Sequence, residues 1–365
     1  MRKNYALDMT CGPFFKKILI FSVPLMLTGL LQLAYNTADV VVVGRFVGKE
    51  ALAAVGSTGS LINLFVNLFI GISMGSGVVV ARHIGENNDK GVRECVHTSM
   101  LLSIFCGFFI GVLGFFTSGE MLKIMNAPDD VIDLATLYLK IYFLGSPGLM
   151  AYNFGAAIVR STGDTKRPLY ILTFSGLVNV ALNLFFVIVL KFGVSGVAIP
   201  TIISQYLSAL LIIIHLKRMN NACRLSFRSL RIHSAELRDI LRIGLPAGIQ
   251  SSLFSVSNVV IQSTVNSFGS SAMAGVAAGS NYDAYIYTCT NAISQTTMTF
   301  ASQNMGARKY SNLGRVYRHC LLITLAIGVG MGLLGMAFGD FIVGLFSDDP
   351  EVIAIGAERL RLIMP

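Results

Sequence analysis

Between Ile18 and Gly44 the chain runs for 27 residues with a single charged side chain, Asp39. About 20 apolar residues at 1.5 Å rise cross a hydrocarbon core roughly 30 Å thick, so this run can span a bilayer as a helix. Uncharged or nearly uncharged stretches recur at 51–81, 96–119, 141–159, 168–190, 192–216, 243–267, 272–307 (with Asp283) and 319–339. Within lipid every backbone polar group must be satisfied by the chain itself, which leaves helices or a closed barrel. Barrel strands alternate in segments of about ten residues, and these runs do not. With 54% hydrophobic residues, 13% charged and a mean hydropathy of +0.68, the expected fold is an all-α polytopic membrane protein.

The formal net charge of +9 has to be read by position. Of 28 Lys and Arg, 21 fall in 2–17, 82–93, 160–167, 217–242 and 308–318, which are alternate gaps between spans. The intervening gaps are acidic: 117–133 holds Glu120, Asp129, Asp130 and Asp133 against Lys123, and 340–351 holds Asp340, Asp348, Asp349 and Glu351. The positive-inside rule places the N-terminus and the basic gaps in the cytoplasm, and the protein in the inner (plasma) membrane. The basic balance therefore reports topology, and nucleic acid is not an expected partner. Met1–Lys17 is basic, but the apolar run after it is too long for a signal-peptide core, so it is expected to remain as the first helix. The six cysteines show no metal or redox spacing and lie in spans or near the cytoplasmic face, where disulfides are not expected.

The sequence repeats itself. "ILIFSVPLMLTGLLQLAYN" (18–36) overlays "ILRIGLPAGIQSSLFSVSN" (240–258) at an offset of 222, with Pro24 on Pro246 and Asn36 on Asn258. "GKEALAAVG" then overlays "GSSAMAGVA", and "PDDVIDLATLYLK" overlays "DPEVIAIGAERLR", both at 221. Two lobes are expected in the same orientation, related by an axis along the membrane normal. They are an N-lobe of six helices over 1–217, a basic cytoplasmic linker over 218–240, and a C-lobe over 241–365 holding helices seven to nine and the start of a tenth. Pro365 corresponds to about residue 144 of the first copy, so roughly 80 residues of the second are expected beyond it.

Asp39 comes late in a helix that starts inside, which puts it in the outer half of the membrane. A carboxylate there costs on the order of 3 kcal/mol and marks an ion or proton site, unless it lies close enough to the outer surface to be solvated. Gln32, Tyr35, Asn36 and Asp39 follow helical spacings of three and four and form a polar stripe. Asn179 and Asn183 share one face of the fifth span, and Thr201 begins the polar part of the sixth. Such amides serve either as interhelical hydrogen-bond donors or as cavity lining. Pro24 removes a hydrogen bond from the first helix, giving a static bend or a hinge. Asp283, among Asn281, Tyr282, Tyr285 and Tyr287, suits an organic cation through charge and cation-π attraction; the same aromatics also suit an interfacial belt. Lys140 and its repeat mate Arg361 read as snorkelling residues. No Walker sequence or His-rich metal spacing is present, and an enzyme is not expected.

"GLPAGIQSSLFSVSNVVIQSTVNSFG", "YNTADVVVVGRFVGKEALAAVG", "RSTGDTKRP" and "GVAIPTIISQ" together resemble the multidrug and toxic compound extrusion family over essentially the whole chain. The resemblance implies twelve helices in two lobes and an antiporter that exports amphipathic, often cationic compounds in exchange for H⁺ or Na⁺, with no other cofactor. It implies that Asp39 is the acid of the N-lobe cation site and that Pro24 is the proline at which its helix bends. Asn179, Asn183 and Thr201 fall on the other members of that site, so Na⁺ could sit at Asp39, Asn179 and Asn183. Gln32, Tyr35 and Asn153 resemble N-lobe substrate contacts. Asn183 stands where many DinF-like relatives carry Asp, and Phe254 where NorM-like relatives carry Glu. The coupling role thus shifts onto Asp39.

The reading is a monomeric drug/cation antiporter whose partners are a small toxic organic molecule and membrane lipid. It works by rocking of the lobes, driven by the different affinity of two states for the ion; desolvation, which favours the neutral form of any carboxylate, supplies such a difference. The substrate-facing residues are Gln32, Tyr35, Asn36, Asn153 and Asp283. A flippase for lipid-linked saccharides is the competing reading within the same superfamily, and a passive channel or receptor the competing class.

Overall fold

The computed structural model describes residues 7–124, 129–266, 270–344 and 349–363. Parts of the charge pattern, namely Arg2, Lys3, 125–128 and 345–348 with Asp348, lie outside the described residues. The helices are α1 (Phe14–Phe46), α2 (Lys49–Gly85), α3 (Asp89–Ile124), α4 (Asp129–Leu144), α5 (Ser146–Ser161), α6 (Lys166–Leu184), α7 (Ser195–Arg218), α8 (Ser234–Asn266), α9 (Ser270–Gly306), α10 (Tyr310–Ala337), α11 (Gly339–Gly344) and α12 (Pro350–Ile363). A π turn, Phe185–Val189, continues α6. No strand occurs among the described residues.

Among the described residues six helices are long and apolar enough to cross a membrane: α1, Leu61–Gly85 of α2, α3, α6 with its π turn, α7 and α10. Helices α4 and α5 form one further crossing broken at Gly145, where Pro147 occupies the first turn of α5 and has no N–H to extend α4. Helices α8 and α9, at 33 and 37 residues, are long enough, but Ser, Thr, Asn and Gln dilute their apolar faces. Among the described residues this allows nine crossings, with α12 following them, the number expected from the sequence. The repeat is equally plain in the backbone: α1 matches α8 at 33 residues, and α2 matches α9 at 37.

The lobes meet along glycines. An added Cβ on Gly75 of α2 would stand 2.6 Å from the Ile240 carbonyl oxygen and 2.8 Å from Gly244 Cα of α8, and one on Gly244 would stand 2.5 Å from Ile72 Cα. Backbones approach this closely only where side chains are absent, which is how small residues join membrane helices. Towards the end of the bundle that carries the N-terminus polar contacts take over. Arg82 Nη2 donates to Asp239 Oδ2 (2.5 Å), His83 Nε2 lies 3.0 Å from Glu236 Oε2, and Gln303 Nε2 donates to the Ser161 carbonyl (2.7 Å). The defined seam extends outward at least to Asn67, whose Nδ2 donates to Ser255 Oγ at 3.1 Å.

Helix α1 belongs to both lobes. Its N-terminal half puts Phe14, Ile18, Phe21 and Leu25 into a core with Ala292, Ile293 and Phe300 of α9 and Val316 and Cys320 of α10. Its outer half instead puts Val42 and Val43 against Tyr138, Val187, Val194, Val197 and Ala198 of the N-lobe. The "RSTGDTKRP" segment is a turn at the N-terminal end of this crossing helix. Gly163 takes a positive φ of 90°, with the Leu7 backbone against it; Asp164 Oδ1 accepts the Lys166 and Arg167 N–H groups (3.1 Å each) at the start of α6; and Arg160 Nη1 donates across the seam to Gln295 Oε1 (2.7 Å).

Candidate functional site

In the outer half of the N-lobe, α1, α6 and α7 converge on a connected polar chain. Asn183 Nδ2 donates to Asp39 Oδ1 and also faces Asn179 Oδ1 at 3.3 Å. Asn179 Nδ2 donates to Thr201 Oγ1 at 3.4 Å, and the Thr201 hydroxyl donates to the Val197 carbonyl at 2.9 Å. The i, i+4 spacing on α6 is what aims both amides at α1 and α7. Asn179 and Asn183 are almost fully buried, at 4% and 1% exposure, while Asp39 is half-buried beside them. The chain offers one carboxylate, two amide oxygens and a hydroxyl, all hard oxygen donors of the kind that coordinate an alkali or alkaline-earth cation. The Asn183 Oδ1 atom is buried without a hydrogen-bond partner among the described residues.

The predicted stripe on α1 divides into two faces. Tyr35 and Asp39 turn towards α6, where the Tyr35 hydroxyl donates to the Thr173 carbonyl (3.2 Å) and its ring lies over Gly176. Gln32 and Asn36 are exposed, on the side of α1 that carries Gly29, which packs against Thr288 of α9. They therefore point towards the opposite lobe. Asn153 is half-buried, with Nδ2 donating to the Leu149 carbonyl of its own helix at 2.8 Å.

Asp283 does not join this group. Its Oδ2 accepts from Arg359 Nη2 at 2.7 Å, an ion pair between α9 and α12, while the Tyr282 hydroxyl donates to the Met331 carbonyl and Tyr287 stacks on Phe254. The sequence reading overlooked Arg359 as a basic residue within a span, and with it the charge that already answers Asp283. Arg361 pairs with Asp340 at 2.5 Å, and Lys140 Nζ lies 5.6 Å from the Phe115 ring centre, so both remain structural.

Three side chains near the site escaped the sequence reading. Tyr138 and Tyr142 of α4, stacked on one another 6.3 Å apart, lie within electrostatic reach of Asp39, and Gln205 of α7 packs against Gly145 at the α4–α5 break. The spacing of four between the tyrosines was the available signal. The π turn after Asn183 was not legible at all; such turns often adjoin functional residues because they re-aim the adjoining side chains.

The sequence model of the MatE family matches residues 24–185 and again 246–365. This chain belongs to the MatE family. The two matches start at Pro24 and Pro246, the same proline pair that set the internal repeat. The MatE chain is 29% identical over 351 residues to the probable multidrug resistance protein YoeA of Bacillus subtilis, covering 94% of this chain and 76% of YoeA. It is 26% identical over 367 residues to the probable multidrug resistance protein NorM of Thermotoga maritima, covering 99% and 78%. A MATE crystal structure in the bent conformation superposes with a TM-score of 0.87 at 25% identity, over 95% of this chain and 77% of the other. As a MatE protein it is a polytopic membrane transporter, not an enzyme.

Proposed function

We propose that this MatE transporter is an inner-membrane antiporter that exports amphipathic organic cations in exchange for H⁺ or Na⁺ taken up at Asp39, with its N-terminus in the cytoplasm. One observation carries the reading: the Asp39–Asn183–Asn179–Thr201 chain ties the acid of α1 to α6 and α7, while Gln32 and Asn36 on the same helix face the other lobe. Ion and drug would thus act on opposite faces of one helix. Loading Asp39 alters its hold on Asn183, and α1 passes that change to the face exposed to drug. The names of YoeA and NorM support a drug-like cargo.

The deciding experiment is efflux of a fluorescent cation from proteoliposomes under an imposed pH gradient, an imposed Na⁺ gradient, or neither. The expected result is transport only when one of the gradients is present. Equal rates in all three conditions would indicate a passive pathway.

Pro24 supplies the expected hinge. It cannot donate to the Ile20 carbonyl, and its own carbonyl accepts the Thr28 hydroxyl at 2.7 Å, so successive turns of α1 are softened while the helix stays continuous. Pro24→Ala restores the missing bond. Drug binding should stay within about twofold of the parent while turnover falls roughly tenfold, given the ~3 kcal/mol scale of a helical proline. Normal turnover would assign the proline a static role.

Asn183→Asp tests the neighbourhood of Asp39. Two carboxylates in contact repel, so the pair should hold one proton up to a higher external pH, or retain Na⁺ in its place. Initial efflux rates against external pH, with and without Na⁺, should shift to higher pH or become Na⁺-dependent. Superimposable profiles would separate residue 183 from the coupling step.

A further inference from the structure

The first part of the linker between the lobes folds back against α3 and borders an open hollow of about 960 Å³, lined by exposed cations, at the end of the bundle that the charge pattern assigns to the cytoplasm. Arg93 of α3, Lys217 at the end of α7, and Arg224 and Arg228 of the linker line it, against one carboxylate, Asp89. Its floor is built, not draped. His97 Nδ1 lies 2.6 Å from the Arg93 carbonyl, and His97 Nε2 accepts the Ser226 N–H at 3.1 Å, while the Leu225 N–H donates to the Leu216 carbonyl at 3.1 Å. Cys223 and Leu225 are buried in the main N-lobe core, which fixes the loop carrying the two linker arginines.

Some cations on this face are answered by protein groups. Arg82 pairs with Asp239, Arg167 with Asp164 (3.2 Å), and Lys309 Nζ donates to the Thr10 carbonyl (3.0 Å). Among the described residues Arg93, Arg224 and Arg228 have no such partner, and Lys217 has only the ring of Phe227, 4.9 Å from its Nζ. Four cations converging on one rigid hollow with a single carboxylate leave a site for an anion with several acceptor oxygens.

The position of the hollow identifies the source of that anion. It lies where α7 ends at Arg218 and α3 begins at Asp89, the level at which these spans leave the hydrocarbon. The linker beside it interleaves apolar and basic residues, and Phe227 (55% exposed) and Ile232 (40%) are open next to Arg228 and Arg231. Exposed aromatic and aliphatic groups alternating with arginine suit the headgroup–acyl boundary better than open cytoplasm. We propose that this pocket binds the phosphate of an anionic phospholipid, holding the inter-lobe linker to the inner leaflet.

The test uses purified protein in detergent, so it depends neither on transport nor on orientation. Native mass spectrometry would compare binding of short-chain phosphatidylglycerol with phosphatidylcholine of the same chain length. Phosphatidylglycerol should bind more tightly, and Arg224→Gln/Arg228→Gln should weaken it roughly 30-fold, at about 1 kcal/mol per cation, while phosphatidylcholine is unaffected. Arg315→Gln/Arg318→Gln, which removes two cations from the same face outside the pocket, should retain the parental affinity. An equal loss in that control would mean diffuse surface attraction and would overturn the proposal. So would unchanged binding by the pocket variant, or inorganic phosphate displacing the lipid at equal concentration, which would assign the pocket to a free anion.

Discussion

Asp39→Asn should reduce gradient-driven efflux to the level of protein-free vesicles while leaving membrane insertion and yield intact. The amide keeps the size of the side chain and can still contact Asn183, but it cannot change charge, and a two-state carrier is driven only by a ligand that distinguishes the states. Because the isostere preserves the packing of α1 on α6, a loss of transport cannot be attributed to misfolding if the variant elutes and melts as the parent does. Drug binding measured without a gradient should survive, since Gln32 and Asn36 on the exposed side of α1 are untouched. Efflux at the parental rate would remove Asp39 from the coupling step.

An effect nearly as large is expected far from any charge. Gly75→Leu places a side chain where a Cβ alone would stand 2.6 Å from the Ile240 carbonyl oxygen. The obstacle is backbone on both sides, so relief requires separating α2 from α8. Overpacking of this kind costs about 1–3 kcal/mol, and only the state with the seam closed bears it, so the balance should shift roughly 5- to 150-fold towards a form open to the cytoplasm. The check is labelling of Ser161→Cys, buried beneath Gln303 at the seam, with a membrane-impermeant maleimide supplied on the cytoplasmic side. The thiol should be protected in the parent background and reactive with Gly75→Leu, and transport should fall in parallel. Equal protection in both would show that the glycines do not govern closure.

What could be read in advance, and what could not, follows from the range of the interactions. The spans, the repeat and the i, i+4 pair Asn179/Asn183 depend on local periodicity, which membrane burial makes nearly noise-free. The meeting of that pair with Asp39 was implied by family resemblance; the residues alone gave two polar faces and no partner. Tyr138, Tyr142 and Gln205 stayed hidden because a tyrosine or glutamine in a span looks the same whether it meets lipid headgroups or a carboxylate two helices away. The ion pair of Asp283 was hidden for the same reason, since its answering charge, Arg359, lies 76 residues along the chain. The division of α1 between two cores had no sequence signature, as Phe21 and Val43 are equally apolar and only the fold distinguishes their neighbours.

That division bears on how the transporter can turn. A helix anchored at its lower end among α9 and α10 and at its upper end among α4 and α7 cannot follow both halves when they rotate apart. The angular difference must be absorbed along its length, and the turn before Pro24, which lacks one backbone hydrogen bond, is the natural place for it. In mechanical terms α1 is a torsion bar across the joint, twisted by any rotation of one half against the other. Asp39 lies on the upper, N-lobe arm of that bar, so under the proposed coupling role an ion gripped there would change the torque the joint must overcome without touching the seam itself.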